Sequence, residues 1–248
     1  IGGDFILFHH FPRFSELKRS SLPKVFWGFD LIDWPPDPSL NRRSSQRKGR
    51  MGNITRMSQL GFLSDGDWIA NDDTGKLVHL FQGADTRITG FNDDSKSIQL
   101  MFTGTSRGGV GRQTWVDQLR LKYKGKFLHV EKVYREDLAE AIGKSMIVLA
   151  PDSPTTNLYW SNRVYVKLGF GAFLLHPYCE LLATHYEDRE EIVFYRSRDE
   201  MHSLINYYLR QPEERQRIAL AGYERTIKEH TYIHRCKKLI DVVTERLF

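Results

Sequence analysis

The second part of the chain alternates short apolar runs with amphipathic stretches. From residue 95 onward, apolar runs occur at 98–103, 127–130, 146–150, 172–175 and 192–195. Between them lie stretches whose apolar residues recur at helical spacing, at 112–123, 135–143, 161–169 and 178–185. Each stretch is long enough for the crossover that joins two parallel strands. This alternation predicts one Rossmann-like domain with a five-stranded parallel sheet.

The last fifty or so residues have the pattern of helices. Ser197 and Glu200 form a capping box, and Pro212 suits the first turn of the helix that follows. The final helix carries an apolar stripe of Tyr232, Cys236, Leu239, Ile240, Val243 and Leu247. Such a stripe is expected to pack against another part of the protein.

Residues 1–90 have a less regular pattern. Short strand candidates occur at 5–8, 25–27, 68–71 and 77–81, which is about half of a second α/β domain. A complete Rossmann-like half has more strands than this, so we expect its sheet to be incomplete, with upstream sequence missing or the domain reduced.

A basic segment without acidic residues lies between Pro38 and Ser64. Its charged members are Arg42, Arg43, Arg47, Lys48, Arg50 and Arg56. The composition predicts a solvated or partly disordered loop. On a domain rim, the same charges would attract an anionic ligand at low salt.

Composition narrows the class of protein. The chain has 248 residues, with 36 Lys and Arg against 31 Asp and Glu, so its formal charge of +5 allows polyanion binding without requiring it. Its two cysteines provide no disulfide framework, which fits a cytoplasmic protein. No apolar stretch approaches the roughly 20 residues that cross a bilayer, and residues 5–8 are not expected to be a signal peptide, because Asp4 and no basic region precedes them.

A glycine-rich turn follows the first strand of the predicted five-stranded sheet. Ligands of such sheets bind at the carboxyl ends of the strands, and the backbone N–H groups of 104–112 suit an anion such as phosphate. The turn lacks the P-loop lysine. Glu131, about 20 residues on, stands where dinucleotide-binding folds keep their ribose-binding acid. Two alternatives to a simple phosphate site therefore remain open for this turn: a dinucleotide site, and a plain turn that binds no ligand.

The loop at 151–163 also follows a predicted strand. It is long, polar and aromatic, and it places Arg163 in the first turn of a helix. A cation is unfavourable there because the helix dipole is already positive, so the position suggests a bound anion. The alternative is an ion pair between Arg163 and a neighbouring carboxylate such as Asp152.

Several motifs in this half of the chain are similar to those of one enzyme family. They are Ser161-Asn162-Arg163, the run 167–175, Pro212-Glu213-Glu214-Arg215 and Ala221-Gly222-Tyr223. Together they resemble the C-terminal domain of group 1 glycosyltransferases, in particular the spore-maturation-protein-like branch. The resemblance covers about 98–248. It departs from the family pattern at Val166 and Leu158, where many relatives carry carboxylates.

The resemblance implies an α/β protein of the GT-B type, in which two Rossmann-like domains face a cleft. It divides the chain into a partial acceptor domain at 1–90, a donor domain at 91–231 and a C-terminal helix at 232–248 that packs back toward the acceptor domain. The implied activity is transfer of a hexose-like sugar from a nucleotide diphosphate sugar, expected to be a UDP-sugar, to an acceptor hydroxyl. No metal is expected. The alternative is a non-catalytic or degenerate nucleotide- or dinucleotide-binding module, which Val166 and Leu158 motivate.

The resemblance also implies which residues hold the donor. Gly104, Thr105 and Arg107 would approach the phosphates, and Tyr134 would lie near the base. Ser161, Asn162 and Arg163 would bind the diphosphate at a helix start. The acceptor is open, and the basic charge allows DNA, a glycan polymer or a lipid-linked acceptor.

The first part of the chain offers candidates for the acceptor side. His9 and His10 follow the strand at 5–8, and Asp30 and Asp33 follow the strand at 25–27, where a catalytic base would lie. Either histidine is equally well explained as a loop residue. Asp65-Gly66-Asp67 is similar to a metal-binding DxD motif, but it precedes an apolar run, and Asp and Gly are common turn residues.

Overall fold

Two compact units make up the chain. The computed structural model describes residues 4–9, 19–29, 32, 41–91, 95–106, 111–151 and 156–248, with the backbone alone for 41–45. Unit 1 consists of Ile1–Gln82 and Ile233–Phe248, and unit 2 of Gly83–Tyr232. Each unit contains a parallel β-sheet with helices.

The sheet of unit 1 has four described strands, β1 (Ile6–Phe8), β2 (Lys24–Gly28), β3 (Leu60–Leu63) and β4 (Leu77–His79). They pair in chain order and are all parallel. Phe26 and Leu63 belong to the core of this unit, together with Ile32. The predicted runs at 5–8, 25–27 and 77–81 correspond to β1, β2 and β4.

The basic segment of unit 1 is a helix, so the prediction of a loop there is wrong. Helix α1 spans Asn41–Met57. Met51 and Ile54 stand three residues apart and are both buried in the core of unit 1. Arg, Lys, Gln and Met are good helix formers, and this apolar pair outweighs the charge-rich composition.

A second short helix replaces a predicted strand. Helix α2 spans Gly66–Ala70, so the strand expected at 68–71 is absent from the described structure. Asp65 is 1% exposed and caps the helix, because its carboxylate accepts hydrogen bonds from the backbone N–H of Trp68 (3.0 Å) and of Ile32 (2.7 Å). This role explains the Asp-Gly-Asp sequence without a metal.

The sheet of unit 2 follows the predicted pattern. Its strands are β5 (Ile98–Thr103), β6 (Phe127–Val130), β7 (Ser145–Leu149), β8 (Leu174–Pro177) and β9 (Val193–Tyr195). They are all parallel, in the order β6-β5-β7-β8-β9. This is the doubly wound arrangement, which brings the carboxyl ends of β5, β6 and β7 together.

Five helices accompany that sheet among the described residues of unit 2. They are α3 (Arg112–Lys122), α4 (Arg135–Gly143), α5 (Arg163–Gly169), α6 (Arg198–Tyr208) and α7 (Pro212–Glu229). The Ser197 hydroxyl accepts a hydrogen bond from the Glu200 backbone N–H (3.1 Å) at the start of α6, and Pro212 lies in the first turn of α7. Both helix starts are as predicted.

The helix predicted at 178–185 is replaced by a loop with one 3-10 turn at Leu182–Thr184. The carbonyl oxygen of Asn157 accepts hydrogen bonds from the backbone N–H of Leu181 (3.1 Å) and the thiol of Cys179 (3.5 Å). These bonds tie the segment to the loop that precedes α5. Because the bonds use groups of residues 179–181, they compete with the formation of a regular helix.

The last helix, α8 (Tyr232–Leu247), contributes to the core of unit 1 through a narrower stripe than predicted. Leu239 and Val243 are buried, whereas Ile240 is 53% exposed and Cys236 is also exposed. Arg235 donates a hydrogen bond to the carbonyl of Gln82 (3.1 Å) in the same unit. In the part of the chain that the structure describes, no helix has the length and apolar character of a membrane span.

Candidate functional site

A pocket of about 510 Å³ lies within unit 2, at the carboxyl ends of β5 and β6 and beside the start of α5. This volume is in the range of small-molecule sites, and its position is the one where doubly wound sheets bind ligands. The residues that line it come from the turn after β5, the loop between β6 and α4, and one face of α5.

Most of the donor-binding residues predicted from the sequence lie together in this pocket. Its lining includes Gly104, Thr105, Tyr134, Asn162 and Arg163. Ser161 is not part of the lining, but its hydroxyl accepts a hydrogen bond from the backbone N–H of Arg163 (3.4 Å), which is. Arg107 lies outside the described residues.

The turn after β5 brings its backbone close to the Arg163 side chain. Gly104 has a φ of +139°, which only glycine adopts readily, and a Cβ there would lie 3.4 Å from Nη1 of Arg163. The Gly104 carbonyl accepts a hydrogen bond from Nε2 of His129 (2.8 Å), because the other ring nitrogen of His129 accepts from Arg120 (3.0 Å). The turn is therefore held in place beneath the guanidinium.

Arg163 presents an exposed cation to this pocket. No carboxylate of the described residues forms an ion pair with its guanidinium, and Asp152, the partner considered above, falls outside those residues. An anionic ligand in the pocket would supply charge-assisted hydrogen bonds that the described side chains do not.

The loop after β6 is strained where it borders the pocket. Lys132 and Arg135 have φ values of 59° and 50°. These values lie in the left-handed region, which is unfavourable for residues other than glycine, Asn and Asp. Between them Tyr134 caps α4 and is 70% exposed. An exposed aromatic ring at a pocket rim suits stacking on a planar base.

Glu131 lines the same pocket, at the position where dinucleotide-binding folds hold ribose. Its carboxylate accepts a hydrogen bond from the backbone N–H of Ser106 (2.7 Å) and lies 3.7 Å from Nε2 of His129. Glu131 thus joins the loop after β6 to the turn after β5.

Lys167 also lines the pocket, and the sequence interpretation missed it. It is 2% exposed, and its ammonium donates a hydrogen bond to the Leu149 carbonyl (2.9 Å). Burial lowers the pKa of Lys167 to about 7, and the positive charges of Arg163 and Arg112 act in the same direction. Its spacing from Val164, three residues earlier, was the available sign that it belongs to the inner face of α5.

Among the acceptor-side candidates, only His9 belongs to the described residues. In unit 1, Nδ1 of His9 lies 3.3 Å from the Trp27 carbonyl oxygen, and its exposed ring packs on Phe29 with 4.4 Å between the centroids. His10, Asp30 and Asp33 lie outside the described residues. His79, which ends β4, is a strand-end histidine that the sequence interpretation did not single out; its Nε2 lies 3.2 Å from the Ser64 carbonyl oxygen.

Metal-binding side chains do not cluster in the part of the chain that the structure describes. No group of three or more His, Cys, Asp or Glu residues there has the arrangement of a metal site. Asp65 of the Asp-Gly-Asp sequence is buried at the start of α2, with backbone N–H groups as its partners.

Solved structures with low sequence identity share this fold. Sucrose-phosphate synthase from Thermosynechococcus elongatus is 9% identical with a TM-score of 0.68, covering 94% of this chain and 70% of that chain. A glycosyltransferase from Rickettsia africae is 10% identical with a TM-score of 0.65, covering 97% and 76%. Anabaena HepE, solved with UDP-glucose, is 10% identical with a TM-score of 0.67, covering 90% and 72%. The predicted GT-B fold is confirmed.

Sequence comparison gives the family. A search of curated proteins found no match. A family model described as glycosyl transferase-like matches residues 87–241, which include all of the pocket described above. Because this match covers more than half of the sequence, the chain belongs to the glycosyl transferase-like family.

Proposed function

We propose that this protein transfers a sugar from a UDP-sugar to an acceptor hydroxyl, and that the pocket of unit 2 holds the donor. The observation that carries this proposal is the convergence of Gly104, Thr105, Tyr134 and Arg163 on one pocket inside the region matched by the family model. These groups offer a glycine that lets a ligand approach the backbone closely, an aromatic ring and a cation, which together suit a nucleoside diphosphate.

The ligands of similar structures support the choice of nucleotide. Anabaena HepE has been solved with UDP-glucose, with UDP and glucose, and with UDP. The pneumococcal transferase GtfA, with a TM-score of 0.56 and 9% identity, has been solved with UDP and GlcNAc. A uridine nucleotide is therefore the first ligand to test.

In the proposed reaction, the bond between the sugar and the diphosphate breaks while the acceptor oxygen bonds to the sugar and its proton passes to a base on the acceptor side. Negative charge then develops on the departing diphosphate. The Arg163 guanidinium would stabilise that charge, whereas the backbone N–H of Gly104 already donates to the Val130 carbonyl (3.1 Å). In this arrangement protein cations do what a divalent metal does elsewhere, so we propose that the transferase works without one.

The remaining assignments follow from the resemblance of the sequence and are proposals of the same kind. We assign residues 1–90 to the acceptor side, 91–231 to the donor side and 232–248 to a helix returning to the acceptor side. We also propose that the protein belongs to the spore-maturation-protein-like branch, that it transfers a hexose and that it is located in the cytoplasm. Because the protein is basic, we propose an anionic polymer or a lipid-linked glycan as the class of acceptor.

A dinucleotide-binding module is the second candidate. It is favoured by Glu131, which lines the pocket at the ribose position, and by Val166, which leaves α5 without the carboxylate expected from relatives. Glu131 is already bound to the Ser106 backbone N–H, so it acts at least partly as a structural tie. This alternative predicts binding of NAD and not of UDP.

Release of UDP tests the proposed reaction and its metal requirement together. With UDP-glucose or UDP-N-acetylglucosamine as donor and water as the acceptor, the full chain should slowly hydrolyse the donor and release UDP, and excess EDTA should leave the rate unchanged. Coupled detection of free UDP gives the rate in both conditions. Loss of turnover on chelation that manganese or magnesium restores would refute metal independence, and no release from any UDP-sugar would favour a non-catalytic module.

His9 is proposed as the acceptor-side base of this reaction. Its replacement by alanine should lower turnover by about 100-fold, the scale of general-base catalysis, while the affinity for UDP stays unchanged. The matched control is His202→Ala on α6, where the histidine bonds the Tyr123 hydroxyl and lies outside the pocket lining. Equal turnover in the two variants would remove His9 from the mechanism.

A further inference from the structure

Lys167 is a buried amine in the wall of the pocket for which the proposed reaction has no role so far. Its Nζ donates a hydrogen bond to the Leu149 carbonyl at the end of β7 and lies 5.6 Å from the centroid of the Phe102 ring. It follows Arg163 by four residues on the short helix α5, so both side chains lie on one face of that helix. The pocket therefore has an exposed cation and a buried amine on the same helix.

The charged groups around Lys167 are mostly positive. Arg163 lies on its own helix, Arg112 begins α3, and His176 on β8 is buried close enough to interact with it electrostatically. Lys132 and Glu131 share the pocket lining. No carboxylate of the described residues forms an ion pair with Lys167, and Glu131 is held by the Ser106 backbone N–H.

An ammonium ion in this setting is unfavourable in the empty pocket. It has lost its water, its hydrogen bond is to a neutral carbonyl, and two guanidinium groups repel it. These effects hold the pKa of Lys167 near 7, so both protonation states are populated around neutral pH. His176 adds no further positive charge, because burial lowers its pKa to about 4 and keeps it neutral.

A diphosphate in the pocket would reverse this balance. Its negative charges would lie between the Arg163 guanidinium and the Lys167 amine, where they favour the charged form of the amine. We propose that Lys167 takes up a proton from solvent when the nucleotide diphosphate enters the pocket and releases it when the diphosphate leaves. This inference rests on the proposed nucleotide site and adds a residue that couples donor binding to pH.

The direction in which UDP affinity changes with pH depends on which protonation state of Lys167 binds UDP more tightly. UDP binds the protonated form more tightly, so its affinity should fall as pH rises above the pKa of the empty pocket. For a single coupled proton, the affinity falls by at most tenfold per pH unit, which gives about 10- to 20-fold between pH 7 and pH 8.5. UDP itself is almost fully ionised over most of this range, so the trend would come from the protein.

Titration calorimetry with UDP measures the proton directly. At pH 8, titrations of the full chain in buffers of different ionisation enthalpy should show uptake of up to about one proton per UDP bound. Lys167→Met removes the amine with little change of length and should abolish both proton uptake and the pH trend. Lys167→Arg keeps a permanent charge and should bind UDP without proton uptake. Lys126→Met, at an exposed position before β6, is the matched control and should titrate like the unaltered protein.

The outcomes separate this inference from the proposed function. If the unaltered protein binds neither UDP nor another nucleoside diphosphate, the proposed donor site is wrong. If it binds UDP without proton uptake, or if Lys167→Met retains the uptake, the site stands and the role of Lys167 is overturned. Melting curves of each variant show that the changes in binding do not come from unfolding, and Lys167→Met carries the test if arginine does not fit.

Discussion

Replacing Arg163 by alanine is expected to weaken UDP binding by about 1.5–3 kcal/mol, which is about 10- to 150-fold in the dissociation constant. The guanidinium is exposed in the pocket and lies against Gly104, so the variant removes a charged hydrogen-bond donor without opening a cavity in the core. Calorimetric titration with UDP at pH 7 measures the effect.

The matched control for this variant is Arg210→Ala, which removes an exposed guanidinium just after α6 and outside the pocket lining. It should bind UDP as the unaltered protein does. Because Arg163 also repels Lys167, its loss should raise the pKa of Lys167 and reduce proton uptake at pH 8. Unchanged affinity in Arg163→Ala for every nucleoside diphosphate tested would show that this arginine does not contact the ligand.

Replacing Gly222 by alanine should cause a large loss of stability. A Cβ at this position of α7 would lie 2.2 Å from the backbone carbonyl oxygen of Glu191 and 3.2 Å from a methyl group of Leu168 on α5. The first contact is with backbone, which cannot move aside as a side chain does. Overpacking of this kind costs about 1–3 kcal/mol or more, which corresponds to a fall of about 2–12 °C in melting temperature.

Gly49→Ala is the matched control for the change at Gly222. Gly49 lies inside helix α1, and a Cβ there would meet nothing within 4 Å. Alanine in a helix interior is favoured over glycine by about 1 kcal/mol, so this variant should melt at the same temperature or slightly higher. Equal melting temperatures for the two variants would mean that α7 does not pack against Glu191 as described.

The sheet of unit 2 and most of its pocket were predictable because the sequence signals are local. Each strand is a short apolar run, and the doubly wound order brings the carboxyl ends of β5, β6 and β7 together. Once that order is assumed, Gly104, Tyr134 and Arg163 must lie near one another, although they are far apart in the sequence. The structure places all three in one pocket.

Other features depend on contacts that composition does not show. Segment 41–57 is rich in cations, yet burial of Met51 and Ile54 makes it a helix. Asp65 is a common turn residue, but its bonds to the backbone of Trp68 and Ile32 convert a predicted strand into α2. Both errors came from weighting residue type over the few tertiary contacts that decide the local structure.

Lys167 was missed for a related reason. Lysine is rarely buried, so a sequence interpretation assigns it to solvent. Its burial follows from its place on the inner face of α5, with Val164 three residues before it, and from the Leu149 carbonyl that accepts its hydrogen bond. The sequence shows the spacing but not the acceptor, which comes from another strand.

Parallel titrations of the unaltered full chain with UDP and with NAD test the central claim most directly. We expect saturable binding of UDP at a single site, the pocket of unit 2, together with no heat of binding for NAD. Saturable binding of NAD without binding of UDP would contradict the account and assign the pocket to a dinucleotide held through Glu131.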